Sequence, residues 1–193
     1  MKTDIILAGV GGQGILSIAT ALGEAVLLEN LYLKQAETHG MSQRGGAVVS
    51  HMRISDKPVS SDLIPLGGAD LILSVEPMES LRYLPFLSAA GYLVTNMTPF
   101  VNIPDYPAVE AILEEIRSLA RYVAIDADQI AREVGNPRIS NMVMLGAASP
   151  FIRIDFSKIE AGVRSTFARK GEGVVSMNLQ GLRAGRKFAE ANR

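Results

Sequence analysis

The hexapeptide Gly9-Val10-Gly11-Gly12-Gln13-Gly14 lies between two apolar stretches of different periodicity. Before it, residues 3–8 form a short, mainly apolar run, which is typical of a buried β-strand. After it, apolar side chains recur at helical spacing, at Ile15, Ile18, Ala19, Leu22 and Val26. A turn of the form G-x-G-x-x-G between a strand and a helix predicts the first β–α unit of a Rossmann-like sheet.

The same alternation continues along the chain. Further strands are predicted at residues 31–36, 47–54, 71–75, 92–96 and 122–126, and helices at 76–84, 108–119 and 127–134. Such alternation favours a mostly parallel sheet with helices on both faces. From about residue 140 the pattern is helical, with helices over 140–148, from a capping box at Ser157 and Glu160 to residue 167, and over 174–189. We therefore expect one α/β domain, residues 1–193, with a helical C-terminal region.

Composition excludes several classes of protein. The 193 residues are 48% hydrophobic and 20% charged, which is ordinary for a globular domain and excludes a disordered or fibrous chain. A formal net charge of −1 provides no overall basic field for nucleic acid. Cysteine is absent, so the chain holds no disulfide, catalytic thiol or cysteine-ligated iron–sulfur cluster. Without a signal-peptide pattern or a span-length apolar helix, we expect a cytoplasmic protein that makes no membrane contact.

The C-terminal region differs from the rest in charge. Residues 1–150 carry ten basic and sixteen acidic side chains, whereas residues 151–193 carry nine basic and four acidic ones. The excess of positive charge indicates either a tail that docks on an acidic partner or a solvated pair of amphipathic helices. Gly181, Gly185 and Ala189 form a ridge of small residues on the last helix, which fits either close approach of another backbone or packing inside this domain.

The glycine turn has two interpretations. Glycines let the backbone approach a phosphate, and the helix that follows offers unpaired N–H groups, but they also allow simple strand–helix packing. A nicotinamide enzyme would add an acidic residue about twenty positions on, at the end of the second strand. Glu37 lies twenty-three residues after Gly14, but a polar segment follows it for which a dehydrogenase has no evident need.

That polar segment is the least core-like part of the chain: Glu37-Thr38-His39-Gly40-Met41-Ser42-Gln43-Arg44-Gly45-Gly46. Loops held by a rigid sheet are where binding groups collect. The fork of Arg44 beside two glycines suits a phosphate, a carboxylate or a partner's carbonyls, unless it forms a local salt bridge. His39 could bind a ligand or remain solvated. His51 lies twelve residues on, within a strand, so we expect it to be structural and predict no metal site.

The glycine turn and this polar segment together resemble the gamma subunit, or gamma domain, of 2-oxoacid:ferredoxin oxidoreductases. The stretch 39–46 is most similar to the small subunit of the indolepyruvate branch. Residues 48–54, residues 141–147 and Asn178 also fit the resemblance, which extends over essentially the whole chain.

The resemblance implies a complex that oxidatively decarboxylates a 2-oxoacid to an acyl-CoA and passes electrons to ferredoxin. Thiamine diphosphate, Mg and [4Fe-4S] clusters would belong to a larger partner subunit, since this chain has no cysteine and no evident diphosphate motif. We assign it no catalytic residue and expect the isolated chain to be inactive. Both loops would face the partner and help to receive CoA, the co-substrate. The binding residues are therefore predicted to be Gly9, Gly11, Gly12, Gln13, Gly14, Glu37, His39, Ser42, Gln43, Arg44, Gly45 and Gly46.

Three alternatives remain open from the sequence. The complex could act on pyruvate, 2-oxoglutarate or branched-chain 2-oxoacids. The chain could also be a free-standing NAD(P)-dependent oxidoreductase that uses the glycine turn and Glu37, or a purely structural interaction domain.

Overall fold

The computed structural model describes residues 1–39, 45–101 and 103–192, with only the backbone of His39. Six strands form one sheet: β1 Lys2–Val10, β2 Tyr32–His39, β3 Ala47–Ser55, β4 Ala69–Ser74, β5 Leu87–Asn96 and β6 Tyr122–Ile125. The helices are α1 Ile15–Leu28, α2 Pro77–Arg82, α3 Val109–Arg117, α4 Ala127–Val134, α5 Ser140–Ala148, α6 Phe156–Phe167 and α7 Glu172–Asn192. No helix in the described part of the chain is long and apolar enough to cross a membrane.

The sheet has the strand order β2-β3-β1-β4-β5-β6. Strands β1, β4, β5 and β6 pair in parallel, whereas β3 pairs antiparallel with both β1 and β2. Antiparallel neighbours need only a short connection, and residues 40–46 provide it between β2 and β3. The prediction of a mostly parallel sheet is confirmed, with β3 as the strand that runs the other way.

Alternate residues of the strands supply two separate cores. Ile5 and Leu7 of β1 face the core shared with α1 and the C-terminal helices, whereas Ile6 and Ala8 face the smaller core shared with α3. Because successive strand residues point to opposite faces, a strand buried on both sides is apolar throughout. Helices therefore cover both faces, as the sequence predicts.

Helices α5 and α7 cross with their backbones in close contact. A Cβ atom on Gly146 would overlap the carbonyl oxygen of Leu182, and one on Gly185 would overlap that of Val143. The third glycine of this crossing, Gly181, lies against Ile139 and Val143. The small-residue ridge of the last helix thus packs against another helix inside the domain.

Two local predictions were wrong. Helix α6 begins at Phe156, two residues earlier than a capping box at Ser157 predicts, and its N-cap is Asp155, whose carboxylate accepts a hydrogen bond from the Ser157 amide at 2.7 Å. Ser157 and Glu160 therefore do not form a capping box, and Glu160 instead pairs with Arg183 of α7 at 2.6 Å. Strand β2 also continues to His39, so the polar segment starts inside the strand.

Candidate functional site

The glycine turn and the polar segment meet at the carboxyl end of β1. The Gly11 amide donates to the Gly46 carbonyl oxygen at 2.9 Å, and the Gly45 amide donates to the Gly11 carbonyl oxygen at 3.4 Å. Because β3 runs antiparallel to β1, its first residues lie beside the end of β1, and Val10 pairs with Ala47. Two segments that are distant in sequence therefore form one site, at the sheet edge where α/β folds bind ligands.

The turn leaves backbone donors free at the start of α1. Gly12 has φ +103° and Gly14 has φ +82°, values in the left-handed region that favours glycine. Four amides here have no acceptor among the described residues, namely those of Gly12, Gly14, Ile15 and Leu16. Unpaired N–H groups at a helix N-terminus, together with the positive end of the helix dipole, favour an anionic ligand.

The side chain of Gln13 joins the turn to the sheet through hydrogen bonds. Its side-chain oxygen accepts a hydrogen bond from the Val10 amide at 2.8 Å, and its Nε2 donates to the Val75 carbonyl oxygen at 3.3 Å. Gly9 lies directly against the Val75 side chain, where a Cβ atom would overlap Cγ2. In this structure Gln13 and Gly9 shape the turn, a contribution that a strand–turn–helix motif does not reveal.

A cleft of about 210 Å³ opens beside the turn, across the ends of β4 and β5. Asn96, at the end of β5, is only 4% exposed, and its Oδ1 accepts a hydrogen bond from the Ala127 amide at 3.1 Å. Its Nδ2 consequently points the other way and donates to Asp128 Oδ2 at 2.8 Å. The described lining residues are Gln13, Val75, Asn96, Thr98, Pro99, Phe100, Asp128, Ser140, Asn141 and Met144.

One wall of the cleft is fixed by a buried carboxylate. Glu76 is fully buried after the end of β4 and accepts hydrogen bonds from the Glu79 amide at 2.8 Å, the Phe100 amide at 3.3 Å and the Tyr106 hydroxyl. Burial and this carboxylate raise the pKa of the Tyr106 phenol far above its usual range, so the phenol remains a donor. Glu76 therefore ties the loop between β5 and α3 to the sheet.

Glu37 does not occupy the place that a dinucleotide site requires. It lies within β2, and its Oε2 accepts a hydrogen bond from Gln35 Nε2 at 3.2 Å. Strand β3 separates β2 from the glycine turn, whereas in the dinucleotide-binding fold β2 is the direct neighbour of β1. The topology thus disfavours the interpretation as an NAD(P)-dependent enzyme.

Other predicted site residues have different outcomes. His39 is the last residue of β2, and its backbone is in register with Val48. Ser42, Gln43 and Arg44 lie outside the described residues, so their roles stay predictions. Among the residues that the structure describes, no three His, Asp or Glu side chains come together in a way that could hold a metal ion.

His51 is structural, as its position in a strand predicts. Its Nδ1 accepts a hydrogen bond from the Ile64 amide at 3.1 Å, and its ring packs edge-on against Phe86 at 5.3 Å between centroids. Burial lowers the pKa of the imidazole, which favours the neutral form that this hydrogen bond requires.

Sequence reasoning missed Asn96 and Asp128 of the cleft, and also Glu76, which binds the amide of the lining residue Phe100. A signal was present, since Glu76 and Asp128 follow the ends of the buried strands β4 and β6 within three residues, and Asn96 ends β5. The carboxyl ends of parallel strands share one edge, so these positions could have been grouped. Asn141 was noted only within a resembling stretch, whereas its Nδ2 donates to the Gly14 carbonyl oxygen at 3.2 Å.

Comparison with known proteins identifies the family. The family model of pyruvate ferredoxin/flavodoxin oxidoreductase matches residues 4–188. The chain belongs to this family. Within it, the indolepyruvate oxidoreductase subunit IorB of Archaeoglobus fulgidus is 34% identical, over 100% of this chain and 98% of that protein.

Two solved structures of ferredoxin oxidoreductases share the fold. The gamma subunit of a keto/oxoacid ferredoxin oxidoreductase from Geobacter sulfurreducens matches with a TM-score of 0.71 at 22% identity, over 99% of this chain and 98% of that one. A 2-oxoglutarate:ferredoxin oxidoreductase from Magnetococcus marinus, solved with 2-oxoglutarate, coenzyme A and succinyl-CoA, matches with a TM-score of 0.78 at 22% identity. That match covers 100% of this chain but only 32% of the other, so this chain spans about a third of its length.

Proposed function

We propose that the chain is the small accessory subunit of an indolepyruvate-type 2-oxoacid:ferredoxin oxidoreductase. The complex would oxidatively decarboxylate a 2-oxoacid to an acyl-CoA and pass the electrons to ferredoxin. The observation that carries this proposal is the 34% identity with an indolepyruvate oxidoreductase subunit over nearly the full length of both chains. A match over the full length of a small subunit supports the role of a companion rather than that of a complete enzyme.

The redox groups would reside in a larger subunit. This chain has no cysteine, so it supplies no thiolate for an iron–sulfur cluster. Thiamine diphosphate with Mg, held by the partner, would supply the carbanion chemistry of decarboxylation. What remains for this chain is to position the co-substrate and to shape the entrance to the partner's site.

The joined loops have the chemistry for an anionic co-substrate. The free amides of the glycine turn would donate to a phosphate of CoA, in the manner of other glycine-rich turns that precede a helix. Arg44 would add a bidentate cation from the polar segment, since Gly45 and Gly46 next to it are hydrogen-bonded to the turn. The proposed binding set is thus the predicted one, with Gln13 and Gly9 mainly shaping the turn and without Glu37, which β3 separates from the turn.

The proposal is tested by isolating the complex from its native source through a tag on this chain. A larger subunit that carries thiamine diphosphate and iron–sulfur clusters should be recovered with it. The complex should then reduce a viologen dye with indolepyruvate and CoA faster than with pyruvate, 2-oxoglutarate or branched-chain 2-oxoacids. If another 2-oxoacid were preferred, the branch would be wrong but the family role would stand. Turnover by the isolated chain would contradict the proposal, as would tight saturable binding of NADH.

Arg44→Ala tests the role of the loops in the assembled complex. Loss of the guanidinium should raise the apparent KM for CoA about tenfold or weaken assembly, because a charge-assisted hydrogen bond to the anion is lost. Arg169→Ala, which removes an exposed cation from the far C-terminal region, is the matched control. Unchanged assembly and CoA kinetics in Arg44→Ala would remove Arg44 from the proposed site.

A further inference from the structure

The cleft beside the glycine turn carries a negative charge that has no counter-ion among the residues that the structure describes. Asp128 is half-buried in the first turn of α4, and its Oδ2 accepts the hydrogen bond from Asn96. No basic side chain lies among the described lining residues, and within the described part of the chain no cation forms an ion pair with Asp128. A carboxylate repels phosphate groups, so the cleft itself is unsuited to the anion that the turn's amides favour.

The carboxylate is held in a fixed position. The buried Asn96 amide is oriented by the Ala127 N–H, so the group that it directs at Asp128 is a donor. This arrangement leaves Asp128 Oδ1 with no donor among the described residues. A pre-positioned carboxylate oxygen binds a guanidinium or an ammonium group with little loss of side-chain freedom.

The shape of the cleft fits a basic side chain rather than a bare ion. Its volume of about 210 Å³ is far above the roughly 10–15 Å³ that a single water needs. Pro99 and Phe100 form apolar walls, against which the aliphatic stem of an arginine or lysine would pack. A cation beside the Phe100 ring would also gain from the quadrupole of the aromatic ring.

The exposed apolar side chains of the loop that forms this wall indicate that the cation belongs to a protein. Phe100 is 41% exposed, and the same loop presents Val101 at 67% and Ile103 at 42% exposure. A small cation would leave these apolar side chains in water, whereas a protein partner would cover them. Because Glu76 binds the Phe100 amide and the Tyr106 hydroxyl, these two residues of the loop are held in place before any partner binds.

We propose that the cleft binds an arginine or lysine side chain of the larger subunit, with Asp128 as its ion-pair partner. The exposed side chains of Phe100, Val101 and Ile103 would form the adjoining contact. The inference rests on the proposed function, since it takes the larger subunit as the partner. It assigns a second role to this edge of the sheet, in which the glycine turn receives an anion and the neighbouring cleft anchors the partner.

The test measures assembly of this full-length chain with the larger subunit, using Asp128→Asn and Asp128→Lys. Asparagine keeps the acceptor for Asn96 and removes the charge, so the Kd should rise about tenfold or more, and lysine should abolish binding. Glu133→Gln removes an exposed charge from the same helix and should leave the Kd unchanged. The rise of the Kd between 50 and 300 mM NaCl should also be smaller in Asp128→Asn than in the wild type.

The outcomes separate this inference from the proposed function. If the wild-type chain binds no larger subunit, the proposed function itself fails. If it binds, and Asp128→Asn behaves like Glu133→Gln, the cleft does not seat a basic side chain. A third arm adds argininamide to the isolated wild-type chain and follows the amide signals of Asn96 and Asp128 by NMR. Saturation at micromolar concentration, with unchanged assembly of Asp128→Asn, would identify a small cation as the occupant and overturn the proposal.

Discussion

Glycine serves two different purposes in two regions of this chain. In the turn between β1 and α1, Gly12 and Gly14 have positive φ values, and their amides have no acceptor among the described residues. At the crossing of α5 and α7, Gly146 and Gly185 have ordinary helical backbones but lie against carbonyl oxygens of the facing helix. The first region uses the conformational freedom of glycine, and the second uses only its small size.

The difference shows why glycine content alone does not locate a binding site. At the helix crossing the glycines are required for packing, because a Cβ atom on Gly146 or Gly185 would have to displace backbone of the facing helix and one on Gly181 would press on the Ile139 side chain. In the turn, a Cβ atom on Gly12 would meet nothing within 4 Å. Open space combined with free amides is what distinguishes a site that can receive a ligand from one that only permits close packing.

The helix crossing should show the largest effect on stability. Gly185→Ala places a methyl group on the Val143 carbonyl oxygen, and backbone in the middle of a helix cannot move aside cheaply. We expect the free energy of unfolding to fall by about 3 kcal/mol or more, measured by urea denaturation.

Gly173→Ala is the control within the same helix. Its Cβ atom would meet nothing within 4 Å, so alanine should be neutral or stabilise the helix by up to about 1 kcal/mol. Similar losses of unfolding free energy in Gly185→Ala and Gly173→Ala would show that the crossing has room for a methyl group.

Substitutions in the turn should lower the free energy of unfolding less than Gly185→Ala does, and by different amounts at Gly12 and Gly14. Gly12→Ala adds only the strain of a positive φ, about 1–2 kcal/mol, because the space around it is open. Gly14→Ala adds a clash with Asn141 Nδ2, which would lie 2.5 Å from the new Cβ, and should cost about 1 kcal/mol more.

A double-mutant cycle separates the two contributions in the turn. In an Asn141→Ala background the extra loss of Gly14→Ala should disappear, leaving only the strain. Persistence of the full loss in thermal unfolding would mean that the contact with Asn141 does not limit this position.

Gln13→Ala should have the smallest effect. The side chain bridges the Val10 amide and the Val75 carbonyl oxygen, and the loss of such hydrogen bonds costs about 1 kcal/mol. Because the turn would loosen while the core stays intact, hydrogen exchange at residues 10–14 should accelerate more than at Leu22 of α1. Uniform acceleration across the domain would indicate that Gln13 stabilises the whole fold instead.

Much of the secondary structure could be predicted because it depends on local periodicity. The bounds of α4 and α5 agree with those expected from the sequence, and all six strands are present. The N-cap of α6 was missed because Asp155 and Ser157 both offer a capping group, and only the backbone geometry at Asp155 selects between them. The continuation of β2 to His39 depends on pairing with β3, which local polarity conceals.

Part of the candidate site could likewise be predicted from residue types, whereas another part depends on tertiary contacts. The glycine turn and the polar segment were identified from residue types, and the structure joins them through Gly11 and Gly46. The cleft was not identified, because its lining residues Val75, Asn96 and Asp128 come from three separate segments and none belongs to a motif.

By itself, the sequence determined the α/β class, the strand–turn–helix motif, and the absence of any thiolate ligand for a metal cluster. These properties follow from residue type and short-range spacing. Only the tertiary structure decided that β3 lies between β1 and β2, which moves Glu37 away from the turn, and that Asn96 presents Asp128 in a cleft without a described counter-ion. Strand order and cross-chain contacts depend on which surfaces bury the most apolar area together, and no local pattern contains that information.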